Sequence, residues 1–133
     1  ETLKQVFEIA NNITGDIQQL CEALWEVTPE GHAVSPDKLK AAVELIFTRE
    51  QKSYETFVSL LTDFQLKCLT ALAKEGGRRV YSMNFVKAVG HHSSASVNRA
   101  ITRMININIL FKSGKEVRFV NPFFKAWLLP RGR

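Results

Sequence analysis

Apolar and polar positions in residues 94–105 alternate with the period of an α-helix and predict a helix with two distinct faces. Apolar residues recur three or four positions apart, which places them on one side of a helix; they are Val97, Ala100, Ile101, Met104 and Ile105. Polar residues occupy the other side; they are Ser96, Asn98, Arg99, Thr102 and Arg103. The apolar side is suited to docking on a core, which leaves the polar side for solvent or a partner.

The same spacing predicts two helices at the start of the chain. Residues 1–13 form one apolar stripe, Gly15 interrupts it, and residues 16–28 form a second stripe. Thr14 or Asp16 is suited to capping the start of the second helix, because a short polar side chain can accept from its first free backbone N–H groups.

A third helix is predicted after Ser35, the expected N-cap, with Pro36 at its first position. Residues 53–61 continue as another helix or as a bent extension of the third one. The N-terminal half therefore predicts three or four amphipathic helices and no strand.

Capping residues mark the helices that follow. Thr62 and Gln65 have the spacing of a capping box, and Gly76 with Gly77 predicts the end of that helix. Residues 82–90 predict a short helix of two turns that a serine caps and a glycine ends.

The pattern changes in the last quarter of the chain. Residues 109–112 and 116–120 are short runs rich in branched and aromatic residues, and Ser113-Gly114-Lys115 between them has the composition of a hairpin turn. The order helix, short helix, helix and hairpin is that of a winged helix-turn-helix. We therefore predict a mainly α protein in which a winged helix-turn-helix carries a small two-stranded β-hairpin.

The final segment, residues 121–133, predicts an apolar turn or short helix that Pro130 stops. Its apolar residues are expected to be buried; they are Phe123, Phe124, Trp127 and Leu128.

Charge divides the chain more sharply than hydropathy does. The 133 residues carry a net charge of +5, but residues 1–75 hold seven Lys or Arg and twelve Asp or Glu, whereas residues 76–133 hold eleven and one. The net charges are therefore −5 and +10, and the second half is the one suited to a polyanion.

Cationic and polar residues of the second half are the candidates for nucleic-acid binding. An arginine can pair with guanine in a bidentate manner, an asparagine can pair with adenine, and serines at a helix start can face phosphate. The candidates are Ser94, Ser96, Asn98, Arg99, Arg103, Lys112, Lys115 and Arg118, with Arg78 and Arg79 as an extension of the footprint. The alternative interpretation is a solvated polar face, since winged helices also dock proteins or serve purely structural roles.

Other chemistry finds little support in the sequence. Cys21 and Cys68 lie far apart in apolar stripes, so we expect two buried thiols and a reducing, cytoplasmic setting. The adjacent His91 and His92 lack spaced partner ligands for zinc, and Trp25 and Trp127 are expected in the core. Neither a catalytic constellation nor a membrane-spanning run is expected.

Three segments resemble the C-terminal part of archaeal-type ATPases of the AAA+/STAND group. They are TGDIQQLCEALWE at residues 14–26, FTREQKSYETFVSLLTDFQLKCLTALAKEG at 47–76 and HSSASVNRAITRMININILFKSGKEVRFVNPFFKAWL at 92–128. Within the last, NPFFKAWL is similar to a motif of the form Asp-Pro-x-Phe-x-x-Trp-Leu, with Asn121 in place of the usual Asp. The pattern Ser-Ser-x-Ser-Val-x-x-Ala-Ile-x-x-Met is similar to the third helix of that family's winged unit.

The resemblance implies that residues 1–61 are a helical lid and residues 62–133 a winged helix. The parent would be a longer P-loop ATPase with ATP and Mg²⁺ as cofactors, and its nucleotide-binding core would precede this chain and be its partner. The lid would report nucleotide state, and the winged helix would engage duplex DNA or a protein domain. The usual Gly-x-Pro at the lid start is Gly15-Asp16-Ile17 here, so nucleotide contact is not carried over to these residues. Walker motifs are absent from this chain, so we expect no cofactor and no catalysis in it.

Two other functions fit the same residues. The chain could be a stand-alone winged-helix transcriptional regulator whose acidic helices mediate dimerisation or sense a ligand. It could also be an interaction module that docks on a protein and never meets DNA.

Overall fold

The computed structural model describes residues 14–78, 82–90 and 93–131. These residues form six α-helices and one antiparallel pair of strands, which confirms the mainly helical fold class. The elements in chain order are α1 (Thr14–Val27), α2 (Pro36–Ser59), α3 (Asp63–Glu75), α4 (Met83–Val89), α5 (Ser94–Asn106), β1 (Leu110–Ser113), β2 (Glu116–Phe119) and α6 (Pro122–Arg131). The helix predicted over residues 1–13 lies outside the described residues.

The chain separates into two compact units, Glu1–Tyr54 and Glu55–Arg133. The separation falls inside α2, which runs without a break to Ser59, so the segment 53–61 largely extends this helix rather than forming a second one. The lid boundary placed between residues 61 and 62 by the resemblance stays a prediction.

The first unit contains α1 and most of α2. Their buried residues keep to one side of each helix; they are Leu20, Ala23 and Leu24 on α1, and Leu39, Ala42, Ile46 and, two turns later, Tyr54 on α2. At the surface, Arg49 Nη1 lies 3.0 Å from Glu22 Oε1 and joins the two helices by an ion pair. Ser35 accepts the N–H of Lys38 at 3.4 Å, a long bond that confirms its capping position.

Three predictions for α1 were wrong. Cys21 is exposed and Trp25 is 83 % exposed. The two residues lie one turn apart on the side of α1 next to the buried residues, and the buried side is too narrow to include them. Gly15 lies in the first turn of the helix rather than ahead of it, so neither Thr14 nor Asp16 precedes α1 as a cap. Partial burial raises the pKa of Asp16.

The second unit is built around α3, whose ends are fixed as predicted. Thr62 Oγ1 accepts the N–H of Gln65 at 3.2 Å, and Gln65 Oε1 accepts the N–H of Thr62 at 3.0 Å, which completes the capping box. At the other end, the N–H of Gly76 donates to the carbonyl of Leu72 at 2.9 Å. Helix α3 packs against α4, α5 and α6 and buries Cys68 among them.

Helices α4 and α5 each begin at a capping serine. Ser82 Oγ accepts the N–H of Phe85 at 3.2 Å, and Ser93 Oγ accepts the N–H of Ser96 at 3.1 Å. Gly90 ends α4 with a φ of 128°, a backbone conformation that residues with a Cβ rarely adopt. The short connection between the two helices contains His91 and His92, which lie outside the described residues.

The hairpin closes through a two-residue turn. Leu110 pairs with Phe119 and Ser113 with Glu116, which leaves Gly114 and Lys115 at the turn. Gly114 has a φ of 64° and Lys115 does not share the positive φ, which is the combination expected of a type II′ turn. The predicted hairpin is therefore present, and we call residues 110–119 the wing.

Helix α6 closes the core of the second unit. Asn121 Oδ1 accepts the N–H groups of Phe123 at 2.9 Å and Phe124 at 3.2 Å, so asparagine caps this helix as an aspartate would. The Phe124 ring meets the ring of Phe57 edge-on, with centroids 5.2 Å apart, and stacks on Trp127 at 6.0 Å. The predicted burial of the α6 aromatics is confirmed.

The prediction that Pro130 stops this segment was wrong, because α6 continues to Arg131. Proline lacks a backbone N–H, and in the last turn of a helix this omits one hydrogen bond without breaking the preceding turns.

Candidate nucleic-acid interface

Helix α5 presents the two faces that its sequence predicts. Val97, Ala100, Ile101 and Met104 are buried, whereas the side chains of Asn98, Arg99, Thr102 and Arg103 are exposed. The buried face is held by α3, α4 and β1, which contact α5 from the core side. Because these contacts hold the buried side against the core, the polar side of α5 points to solvent. Its role in binding stays a prediction.

The start of α5 orients one of the two arginines. Arg99 Nη2 donates to Ser96 Oγ at 3.2 Å, and Ser96 Oγ lies 3.1 Å from Ser93 Oγ. These contacts draw the Arg99 guanidinium back toward the N-terminus of the helix, where free N–H groups give a partial positive charge. Ser94 is exposed beside them, whereas Ser96 is half-buried.

Arg103 lies one turn beyond Arg99 on the same exposed stripe. The two guanidinium groups and the intervening polar side chains therefore form one surface, which we call the α5 face: Asn98, Arg99, Thr102 and Arg103. Its residue types match those that contact base edges and phosphates in DNA-binding helices.

The cations of the wing are exposed but do not share one side of the hairpin. Side chains that pair across two strands lie on the same face, and the register pairs Lys112 with the buried Val117 and Arg118 with Phe111. Lys112 and Arg118 therefore lie on opposite faces, and Lys115 lies at the turn between them. The structure does not gather the three predicted wing residues into one cluster.

Arg118 also meets the single acid of the basic half. Arg118 Nη2 lies 3.5 Å from Glu116 Oε2, with both side chains partly exposed. An exposed pair of this length is weak, but it lowers the positive potential around Arg118. Arg99 and Arg103 have no such carboxylate among the ion pairs of the described residues.

One structural residue was missed by the sequence interpretation, which treated Gly77 only as part of a helix stop. The carbonyl of Gly77 accepts the N–H of Val117 at 2.9 Å, so the segment after α3 runs beside β2. A Cβ at position 77 would overlap the carbonyl oxygen of Val117. The second glycine of the pair was the available clue, because Gly76 alone is sufficient to end the helix.

Arg78 follows directly and is exposed beside the hairpin turn. With Ser113, Lys115 and Glu116 it lines an open cavity of about 320 Å³. Its neighbour Arg79 lies outside the described residues.

Within the parts of the chain that the structure describes, no three His, Cys, Asp or Glu side chains come together as metal ligands would. No helix of those parts is both long and apolar enough to cross a membrane.

Comparison with known families agrees with the architecture. A family profile described as "Probable winged helix domain" matches residues 52–130. No curated protein and no solved structure gives a significant match. The matched region begins in the last turns of α2, which include Phe57, the partner of Phe124 in the core, and continues to Pro130, one residue before the end of α6. Because the match covers more than half of the chain, the protein belongs to the winged helix domain family.

Proposed function

We propose that this protein binds duplex DNA, with the α5 face in the major groove and the wing along the sugar–phosphate backbone. The observation that carries the proposal is the exposed α5 face itself, where Arg99 and Arg103 stand one turn apart on a helix whose other side is buried. In winged helix-turn-helix proteins the third helix of the motif is the element that enters the groove.

Charge supports a polyanionic partner. Residues 76–133 carry a net charge of +10, and the carboxylate of their only acid, Glu116, lies 3.5 Å from the guanidinium of Arg118. A cationic surface of this kind gains affinity by releasing the counterions condensed on DNA, so the affinity is expected to fall as salt rises.

Side-chain chemistry assigns different roles to the candidates. Arg99, Arg103 and Asn98 can form the bidentate contacts that distinguish guanine and adenine in the major groove. Ser94 and Ser96 lie at the start of α5 and would contact a phosphate together with the backbone N–H groups there. Lys112, Lys115 and Arg118 contribute phosphate contacts from the wing, with Arg118 the weakest of these because of Glu116.

Fluorescence anisotropy with a labelled duplex tests the proposal. Wild type, Arg99→Ala and Arg103→Ala are compared at salt concentrations between about 50 and 200 mM. Each substitution is expected to weaken binding by about 1–3 kcal/mol if a base contact is lost, or to lower the salt slope by about one if a phosphate contact is lost. Lys67→Ala is the matched control, since Lys67 is an exposed cation on α3 that belongs neither to the α5 face nor to the hairpin.

The contrary result is equally clear. If wild type does not bind duplex at low salt, or if both arginine variants bind like Lys67→Ala, DNA is not the partner of the α5 face. The interaction-module interpretation would then take its place, with a protein domain as the partner.

We further propose that this chain is the C-terminal, non-catalytic part of a P-loop ATPase. The support is the similarity of segments 14–26, 47–76 and 92–128 to such proteins, which extends beyond the region matched by the winged helix family. The coding sequence upstream of residue 1 tests it: a Walker A motif there supports the ATPase parent, with ATP and Mg²⁺ as its cofactors. A start codon immediately before residue 1 supports the stand-alone regulator instead.

A further inference from the structure

The cavity beside the hairpin turn brings together residues from two distant parts of the chain. Arg78 comes from the segment after α3, whereas Ser113, Lys115 and Glu116 come from the end of β1, the turn and the start of β2. We call this cavity the Arg78 notch. It is open to solvent and large enough, at about 320 Å³, to admit a phosphate group.

The position of Arg78 is set by its neighbour. Gly77 accepts a backbone hydrogen bond from Val117 at 2.9 Å, and the absence of a Cβ allows the two backbones to approach this closely. Val117 is buried, so the bond ties the segment that carries Arg78 to the packed backbone of the hairpin. Arg78 is therefore held next to Lys115 by backbone geometry.

The chemistry of the notch favours an oxyanion. A guanidinium, an ammonium and a hydroxyl are the donors that bind phosphate in proteins. Glu116 also lines the notch, but its Oε2 atom lies 3.5 Å from Arg118 Nη2 on the same face of the hairpin, and this arginine balances its charge. Among the described residues that line the notch there are two cations and one carboxylate, so their net charge is positive and attracts an anionic oxygen ligand such as a phosphodiester.

We propose that the Arg78 notch binds a phosphodiester group of the DNA backbone, separately from the α5 face. The assignment rests on the proposed function, because the duplex is its source of phosphodiester. It narrows the role of Arg78 from an extension of the footprint to contact with one phosphodiester group, and it adds Gly77 as the residue that positions Arg78.

The test uses the full chain and a labelled duplex. Arg78→Ala is expected to weaken binding several-fold at low salt and to lower the salt slope by about one, whereas Arg78→Lys is expected to retain most of the slope because it keeps the charge. Lys67→Ala also removes one positive charge from the second unit, and its affinity for the duplex is expected to be closer to that of wild type. Gly77→Ala is expected to weaken binding as Arg78→Ala does. The arginine variants keep the test valid if Gly77→Ala does not fold, because Arg78 is exposed.

Amide chemical shifts identify the site directly. Addition of duplex to the ¹⁵N-labelled protein is expected to shift the amides of residues 113–116 in wild type and to shift them less in Arg78→Ala. If binding depends on Arg99 and Arg103 but Arg78→Ala matches Lys67→Ala, the notch is overturned and the proposed function stands.

If no duplex binds at all, the proposed function is wrong. The notch is then tested by adding inorganic phosphate to the ¹⁵N-labelled protein and following the amide shifts. Shifts confined to residues 113–116 would make free phosphate the ligand and overturn the backbone assignment. No localised shift would overturn the site altogether.

Discussion

The two units of this protein differ in how completely local sequence features agree with packing. In the winged unit, Thr62, Ser82, Ser93 and Asn121 each cap a helix, and the aromatic cluster around Phe124 is buried. In the described part of the first unit, α1 and α2 are present as helices, but Trp25 stays exposed and the cap at Ser35 has a long bond. The comparison teaches that helical periodicity predicts which side of a helix is apolar. It does not predict how much of that apolar side the neighbouring elements bury.

Substitution of one aromatic residue in each unit tests this difference most strongly. Phe124→Ala is expected to lower the free energy of unfolding by about 3–5 kcal/mol, because it empties the space between Phe57 and Trp127. Trp25→Ala is expected to change the free energy of unfolding by less than about 0.5 kcal/mol, since its side chain is 83 % exposed. Urea denaturation of both variants measures the contrast. Similar losses for the two would show that Trp25 is part of a packed core.

The two cysteines provide a second comparison between the units. Burial raises the pKa of Cys68 from the usual 9.0 to about 11, so the thiol stays protonated at pH 8 and becomes reactive only as the pH rises toward that value. Two pKa units reduce the thiolate fraction about 100-fold, and burial slows the reaction further. Cys21 is exposed and is expected to react first.

Alkylation of the native protein with iodoacetamide, followed by mass mapping, measures this order. Cys21→Ser is the control that leaves only the slow site. Rapid labelling of Cys68 in native buffer at pH 8 would contradict the packing of α3.

Capping provides a smaller effect. Thr62→Ala is expected to cost about 1 kcal/mol of unfolding free energy, because it breaks a reciprocal capping box at the start of α3. Ser35→Ala is expected to cost less, since its acceptor bond is 3.4 Å long. Chemical denaturation of the two variants measures both losses of unfolding free energy. A loss for Ser35→Ala that equals or exceeds the loss for Thr62→Ala would contradict this prediction.

The smallest expected effect concerns the one acid of the basic half. Glu116→Gln is expected to tighten duplex binding by up to about fivefold, because it removes a repulsive carboxylate and frees Arg118 from an exposed ion pair worth at most about 1 kcal/mol. Glu75→Gln, an exposed acid at the end of α3, is the matched control. Weaker binding by Glu116→Gln would indicate that the carboxylate makes a useful contact with the ligand.

Most of the winged unit could be predicted from the sequence because its features are local. A capping box spans four residues, a hairpin turn requires a glycine with positive φ, and an amphipathic helix shows its two faces within three turns. Asn98, Arg99, Thr102 and Arg103 accordingly lie exposed where the pattern placed them. Their role as a DNA-binding site, and the lid and ATPase interpretation of the chain, stay predictions.

The other features depend on contacts between residues far apart in the chain. Periodicity could not show that Lys112 and Arg118 lie on opposite faces of the wing, since that follows from the strand register. It could not show that Gly77 approaches Val117, which lies 40 positions later. It also misplaced Cys21 and Trp25, because exposure is set by the elements that pack against a helix and not by the helix alone.

By itself, therefore, the sequence determined most of the described helices, the caps at Ser35, Thr62 and Ser82, the hairpin and the segregation of charge. The caps and the hairpin turn arise from hydrogen bonds within a few residues of one another. Only the tertiary structure decided that Trp25 is exposed, that Lys112 and Arg118 lie on opposite faces of the hairpin, and that Arg78 stands beside Lys115. The physical reason is that burial and charge clustering depend on distances through space, and these are fixed only when separate elements pack together.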